Sequence, residues 1–112
     1  MKKLIFILAF LMMGFISMAQ DTTYISYYDN GQVKEILSYT NDLLDGLCYS
    51  YTEDGTLVGM ASYKNGLKDG EWKIWREDGT LAYEMFYKKG VRIGIWKQYD
   101  EKGNLIRKRD FT

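Results

Sequence analysis

At 112 residues, with 15 basic side chains against 15 acidic, the chain has room for one domain and no more. Its balanced charge excludes a broad basic field for nucleic acid or anionic lipid. The absence of histidine excludes His-based triads and His metal sites, and a single Cys48 excludes an internal disulfide.

The first predicted element is a leader. Lys2 and Lys3 are followed by an apolar run from Leu4 to Ile16, broken only by Gly14. Ser17-Met18-Ala19 then places small residues at both positions a signal peptidase reads. The run is shorter than the roughly 20 residues of a membrane-spanning helix. No cysteine stands at the cleavage point to carry a lipid. A cleaved signal peptide over 1–19 is expected, with a mature domain over 20–112 in the periplasm or outside the cell. Losing Lys2 and Lys3 leaves that domain a net charge of about −2.

From Tyr24 onward the chain repeats itself every 24 residues without a break in register. The first unit carries Tyr27, the turn Asn30-Gly31, a run from Val33 to Tyr39, and Asn41-Asp42 where later units have a second turn glycine. The second carries Cys48, Tyr51, Asp54-Gly55, Leu57 to Tyr63 and Asn65-Gly66. In the third, Glu71 to Arg76 leads through Asp78-Gly79 into Leu81 to Tyr87. The fourth repeats Trp96, Tyr99, Gly103 and Leu105, then ends at Thr112. Asn-Gly or Asp-Gly between apolar runs signals a hairpin, because glycine accepts positive φ without steric cost. Turns every six to eight residues exclude helices of ordinary length. Eight short strands in an antiparallel all-β meander of four hairpins are predicted. Leu81, Tyr83, Met85 and Tyr87 are expected on one face, and because 24 is even Leu57, Gly59, Ala61 and Tyr63 take the same face.

The stretch Asn65-Gly66-Leu67-Lys68-Asp69-Gly70-Glu71-Trp72-Lys73-Ile74-Trp75-Arg76-Glu77-Asp78-Gly79-Thr80-Leu81 closely resembles the MORN-variant repeat (MORN_2). Bacterial proteins built from that repeat are often labelled YwqK-type antitoxin-like. The resemblance spans about 24–112. It implies repeated hairpins in an elongated, single-layer, twisted sheet that serves as an interaction surface, with no catalytic residues and no cofactor.

Residues that could carry chemistry each have a plainer reading. Glu53-Asp54 and Glu77-Asp78 are carboxylate pairs, but they recur beside turn glycines, where turn chemistry accounts for them. No calcium-loop spacing is present. Cys48 stands in the column of Trp72 and Trp96, which favours packing over nucleophilic chemistry. Arg107, Lys108 and Arg109 are charges on the last strand, of the kind that discourages edge-to-edge aggregation.

The aromatic columns carry the functional reading. In the third unit Trp72 and Ile74 point one way, Lys73 and Trp75 the other. Tyr51, Trp75 and Tyr99 therefore form a candidate binding row, since Tyr and Trp are favoured at binding hot spots. The expected function is a non-enzymatic, exported interaction module. Its partner is another protein or an extended peptide added as a strand. A glycan or cell-wall ligand, a membrane surface, and an antitoxin-like role sequestering a toxin stand as alternatives, and free sheet edges allow self-association.

Overall fold

The computed structural model describes residues 20–112; the expected signal peptide lies outside the described residues. Eight strands form one antiparallel sheet in chain order. They are β1 (Asp21–Tyr27), β2 (Val33–Thr40), β4 (Gly46–Tyr51), β5 (Leu57–Lys64), β7 (Gly70–Trp75), β8 (Leu81–Lys88), β10 (Ile95–Tyr99) and β11 (Leu105–Asp110). Three two-residue strands extend the links between units: β3 (Leu43–Leu44) on β2, β6 (Leu67–Lys68) on β5 and β9 (Val91–Arg92) on β8. The meander is the one predicted. Among the described residues there is no crossover, because every connection is a short turn.

Two turn types alternate. Within each hairpin a glycine (Gly31, Gly55, Gly79, Gly103) takes positive φ after a turn closed by, for example, Gly79 N–H to the Arg76 carbonyl at 2.9 Å. Between units two successive residues take positive φ, at Asn41-Asp42, Asn65-Gly66 and Lys89-Gly90. This is the backbone requirement of a primed hairpin turn. The first unit meets it without glycine, with Asp42 at φ 66°.

One expectation is corrected. Each hairpin carries a β-bulge near its turn, so that Ile74 pairs with Tyr83 but Trp75 pairs with Leu81. The same jump recurs at Tyr27–Val33, Tyr51–Leu57 and Tyr99–Leu105. The extra residue reverses the parity of what precedes it. Leu81 and Leu57 thus leave the face of Tyr83 and Gly59 and join that of Trp75 and Tyr51.

A single layer has no interior. Among the described residues only Cys48 and Ala82 are buried, while Tyr24, Ile25, Tyr27, Ile74, Ile95 and Ile106 are exposed. The side chains shelter one another along the sheet surface instead of meeting a second layer.

Candidate interaction surface

Cross-strand partners share a face, so the register defines two surfaces. On the first face residues line up in rungs that run straight across the sheet. One rung passes from Glu35 through Ser50 and Gly59 to Ile74, Tyr83 and Gln98, ending at Arg107. The next runs parallel to it, with Cys48 paired to Ala61, Trp72 to Met85 and Trp96 to Arg109.

The indoles of the second rung interleave with rings farther along the strands in a stack of five. Tyr63, Trp72, Tyr87, Trp96 and Phe111 follow one another with centroids 5.2, 5.4, 5.2 and 4.9 Å apart and planes inclined by about 60°. Such edge-to-face contacts suit the ring quadrupole. Burial among these rings pushes the Tyr63 phenol upward from its ordinary pKa. Each indole also ties one unit to the next. Trp72 Nε1 donates to the Ser62 carbonyl at 2.9 Å, and Trp96 Nε1 to the Phe86 carbonyl at 3.0 Å. Lys68 lies over Trp72 and Tyr87 at 4.8 and 4.9 Å, and Arg92 covers Trp96 and Phe111 at 5.5 and 5.7 Å. Both cations come from the two-residue strands β6 and β9. Sequence reading saw the Tyr63/Tyr87 and Trp72/Trp96 columns separately. It missed that adjacent strands interleave them, although the alternation was present in their positions.

The stack stops at the joint between units one and two. There Cys48 replaces the indole and Leu44 replaces the cation. Ser50, Gly59 and Ala61 are also small. Together they leave a shallow, mostly apolar hollow of about 270 Å³, walled by Leu37, Tyr63 and Trp72. A Cβ on Gly59 would overlap Ser50 Oγ and force that hydroxyl to rotate away.

On the opposite face the structure places Tyr51, Trp75 and Tyr99, all half-buried. They stand two strands apart, each beside Leu57, Leu81 or Leu105, the neighbours the bulge delivers. They make a row of separated rings, not a stack. Tyr99 donates its hydroxyl to Glu84 Oε1 at 2.8 Å, which raises its pKa by holding the neutral phenol. Backbone carbonyls of this row receive bridges from the preceding unit: Tyr28 Oη to Tyr51 at 2.6 Å, and Arg76 Nη2 to Tyr99 at 2.6 Å. A phenol and a guanidinium thus do the same work from the same repeat position, two units apart.

The turn carboxylates are ordered by their own loops. Asp78 Oδ1 accepts from Thr80 N–H at 2.9 Å and Oγ1 at 2.6 Å; Asp54 accepts from Thr52 and Thr56. Side-chain hydrogen bonds from those threonines hold both carboxyls below their ordinary range. A general acid needs the reverse shift. Among the described residues no group of metal-ligating side chains converges.

The sheet has two free edges of different character. Tyr28 N–H and the Gln20 carbonyl bond inside the first hairpin. By alternation the backbone groups of Thr23, Ile25 and Tyr27 point outward from β1. Tyr24 is 59% exposed and Tyr27 60%, and β1 carries no lysine, arginine or proline. At the other end, β11 carries Arg107, Lys108 and Arg109.

Four hairpins at constant spacing agree with the comparison by family. The pattern described as the MORN repeat variant matches residues 20–41, 44–65, 68–89 and 92–112. The chain belongs to the MORN repeat variant family. Repeats of this MORN type are generally non-catalytic and mediate contacts with proteins or membrane surfaces. No curated protein matches the chain.

Proposed function

We propose that this MORN-variant chain is an exported, non-enzymatic interaction module. It takes an extended polypeptide as an added strand on β1, with the Tyr51, Trp75 and Tyr99 face as a second contact surface. The observation that carries the reading is the contrast between the edges. β1 offers outward N–H groups flanked by exposed Tyr24, Ile25 and Tyr27, whereas β11 is lined with cations that discourage pairing. Added strands gain affinity from backbone hydrogen bonds and selectivity from alternate side chains.

Affinity capture with residues 20–112 tests it, comparing wild type with Thr23→Pro and Trp75→Ala. Proline at residue 23 deletes an outward donor and leaves the β1–β2 ladder intact, since edge strands tolerate it. Loss of a captured partner by Thr23→Pro, with the thermal transition retained, is the expected result. Partners retained by both variants would remove the edge and the row together. Fractionation of cells expressing the full chain, with the mature N-terminus sequenced, should find Gln20 as the first residue outside the cytoplasm.

A further inference from the structure

The first face is uneven in a patterned way. Nearest the centre of the sheet, the N-terminal half supplies four small residues: Ser50 and Gly59 on one rung, Cys48 and Ala61 on the next. The C-terminal half supplies four large ones on the same rungs: Ile74 and Tyr83, then Trp72 and Met85. Charge is divided likewise, with Glu35 on the N-terminal half and Arg107 and Arg109 on the C-terminal half.

We propose that this face is covered by a second copy of the chain, packed face to face about a two-fold axis that runs parallel to the strands between β5 and β7. Such an axis reverses strand order but keeps position along the strand. It sets β5 over β7 of the second copy and β4 over its β8. Gly59 then receives Ile74 of the second copy, Ala61 its Trp72, Ser50 its Tyr83 and Cys48 its Met85. Every small residue meets a large one, twice over by symmetry. Further out, Glu35 lies over Gln98 beside Arg107 of the second copy, and Tyr24 lies beneath its Arg109.

The alternative two-fold, along the strand order, would stack hollow on hollow and like charge on like charge. Aligned sheets cross at about 30°, which displaces rungs least near the axis, where the four size matches fall. Lys68 and Arg92 stay at the margin, over their rings. The two-layer sandwich so formed gives the sheet the interior it lacks alone. It covers Tyr24 but leaves the Tyr51, Trp75 and Tyr99 face, Ile25, Tyr27 and the outward backbone groups of β1 free, so a strand can still add to β1 whether or not the dimer forms.

Sedimentation equilibrium of residues 20–112, which hold the eleven described strands, tests it over a range of concentrations. A reversible dimer is expected. Filling the hollow with the residues of later units, Cys48→Trp and Ala61→Met, should weaken it by about tenfold or more while the monomer stays folded, since each tenfold is only about 1.4 kcal/mol. Glu35→Arg should weaken the dimer, and Glu35→Arg with Arg107→Glu should restore it. A monomer at every concentration overturns the proposal and leaves the hollow to a side chain of another protein. A dimer unmoved by Cys48→Trp but abolished by Ile25→Pro also overturns it, in favour of edge pairing.

Discussion

The first joint between units and the two later ones share register and turn geometry, yet they are held by different means. At the second and third joints an indole bonds back to the preceding unit, and a cation lies over the rings. At the first joint Cys48 and Leu44 occupy those places. The bridges there lie at the flanks: Tyr28 Oη to the Tyr51 carbonyl, Asn30 Nδ2 to the Glu53 carbonyl at 2.7 Å and Ser38 Oγ to the Leu47 carbonyl at 2.8 Å. The difference teaches that the repeat specifies a backbone, and that several side-chain solutions can close it. It also shows that the least filled joint opens the largest contrast on the surface.

That comparison can be broken most forcefully at Trp72. Trp72→Ala removes the ring that links Tyr63 to Tyr87 and the bond to Ser62, and should cost about 3 kcal/mol. Cys48→Ala should cost about 1 kcal/mol or less, having no comparable contact to lose. Urea denaturation of both variants measures the gap; equal losses would mean the joints are held alike.

Installing the later solution in the first joint should help the isolated chain. Cys48→Trp is expected to stabilise the monomer by about 1 kcal/mol, by extending the stack toward Tyr39 and bonding the Ser38 carbonyl. The readout is the thermal midpoint at concentrations low enough to exclude association; a lowered midpoint would contradict it.

A smaller effect separates the turns. Asp42 holds φ 66° where Gly66 and Gly90 stand later. Asp42→Gly should stabilise by about 0.5–1 kcal/mol, because glycine carries no steric penalty there, and Gly66→Ala should cost a similar amount.

The least effect comes with acid. Asp54, Asp78 and Asp100 are depressed by turn hydrogen bonds, whereas the first unit has Asn30 where Asp54 and Asp78 stand. A depressed carboxylate contributes stability that is present above its unfolded pKa, near 3.8, and lost as pH falls through the lower folded value. Amide exchange below about pH 4 should therefore quicken at 52–56, 76–80 and 100–104 before it does at 28–32. Uniform change across the four turns would count against those bonds.

Much of this was legible beforehand. Period, glycine turns and strand alternation specified four hairpins and the meander, because they depend on local φ preferences and on the parity of 24. The bulge was not legible. A single extra residue such as Ala82 leaves no mark on composition, yet it moves Leu81 to the other face and places it against Trp75. The ring stack was half legible. Tyr63 and Trp72 were visible as columns, but their contact depends on which strands adjoin across a joint.

The sequence by itself determined the backbone path, since turn chemistry and hydrophobic period act over a few residues at a time. Only the tertiary structure decided which side chains meet. Contacts between Trp72 and Ser62, Arg76 and Tyr99, or the four small residues of the hollow join positions that become neighbours through strand register alone, and register is settled by the whole sheet at once.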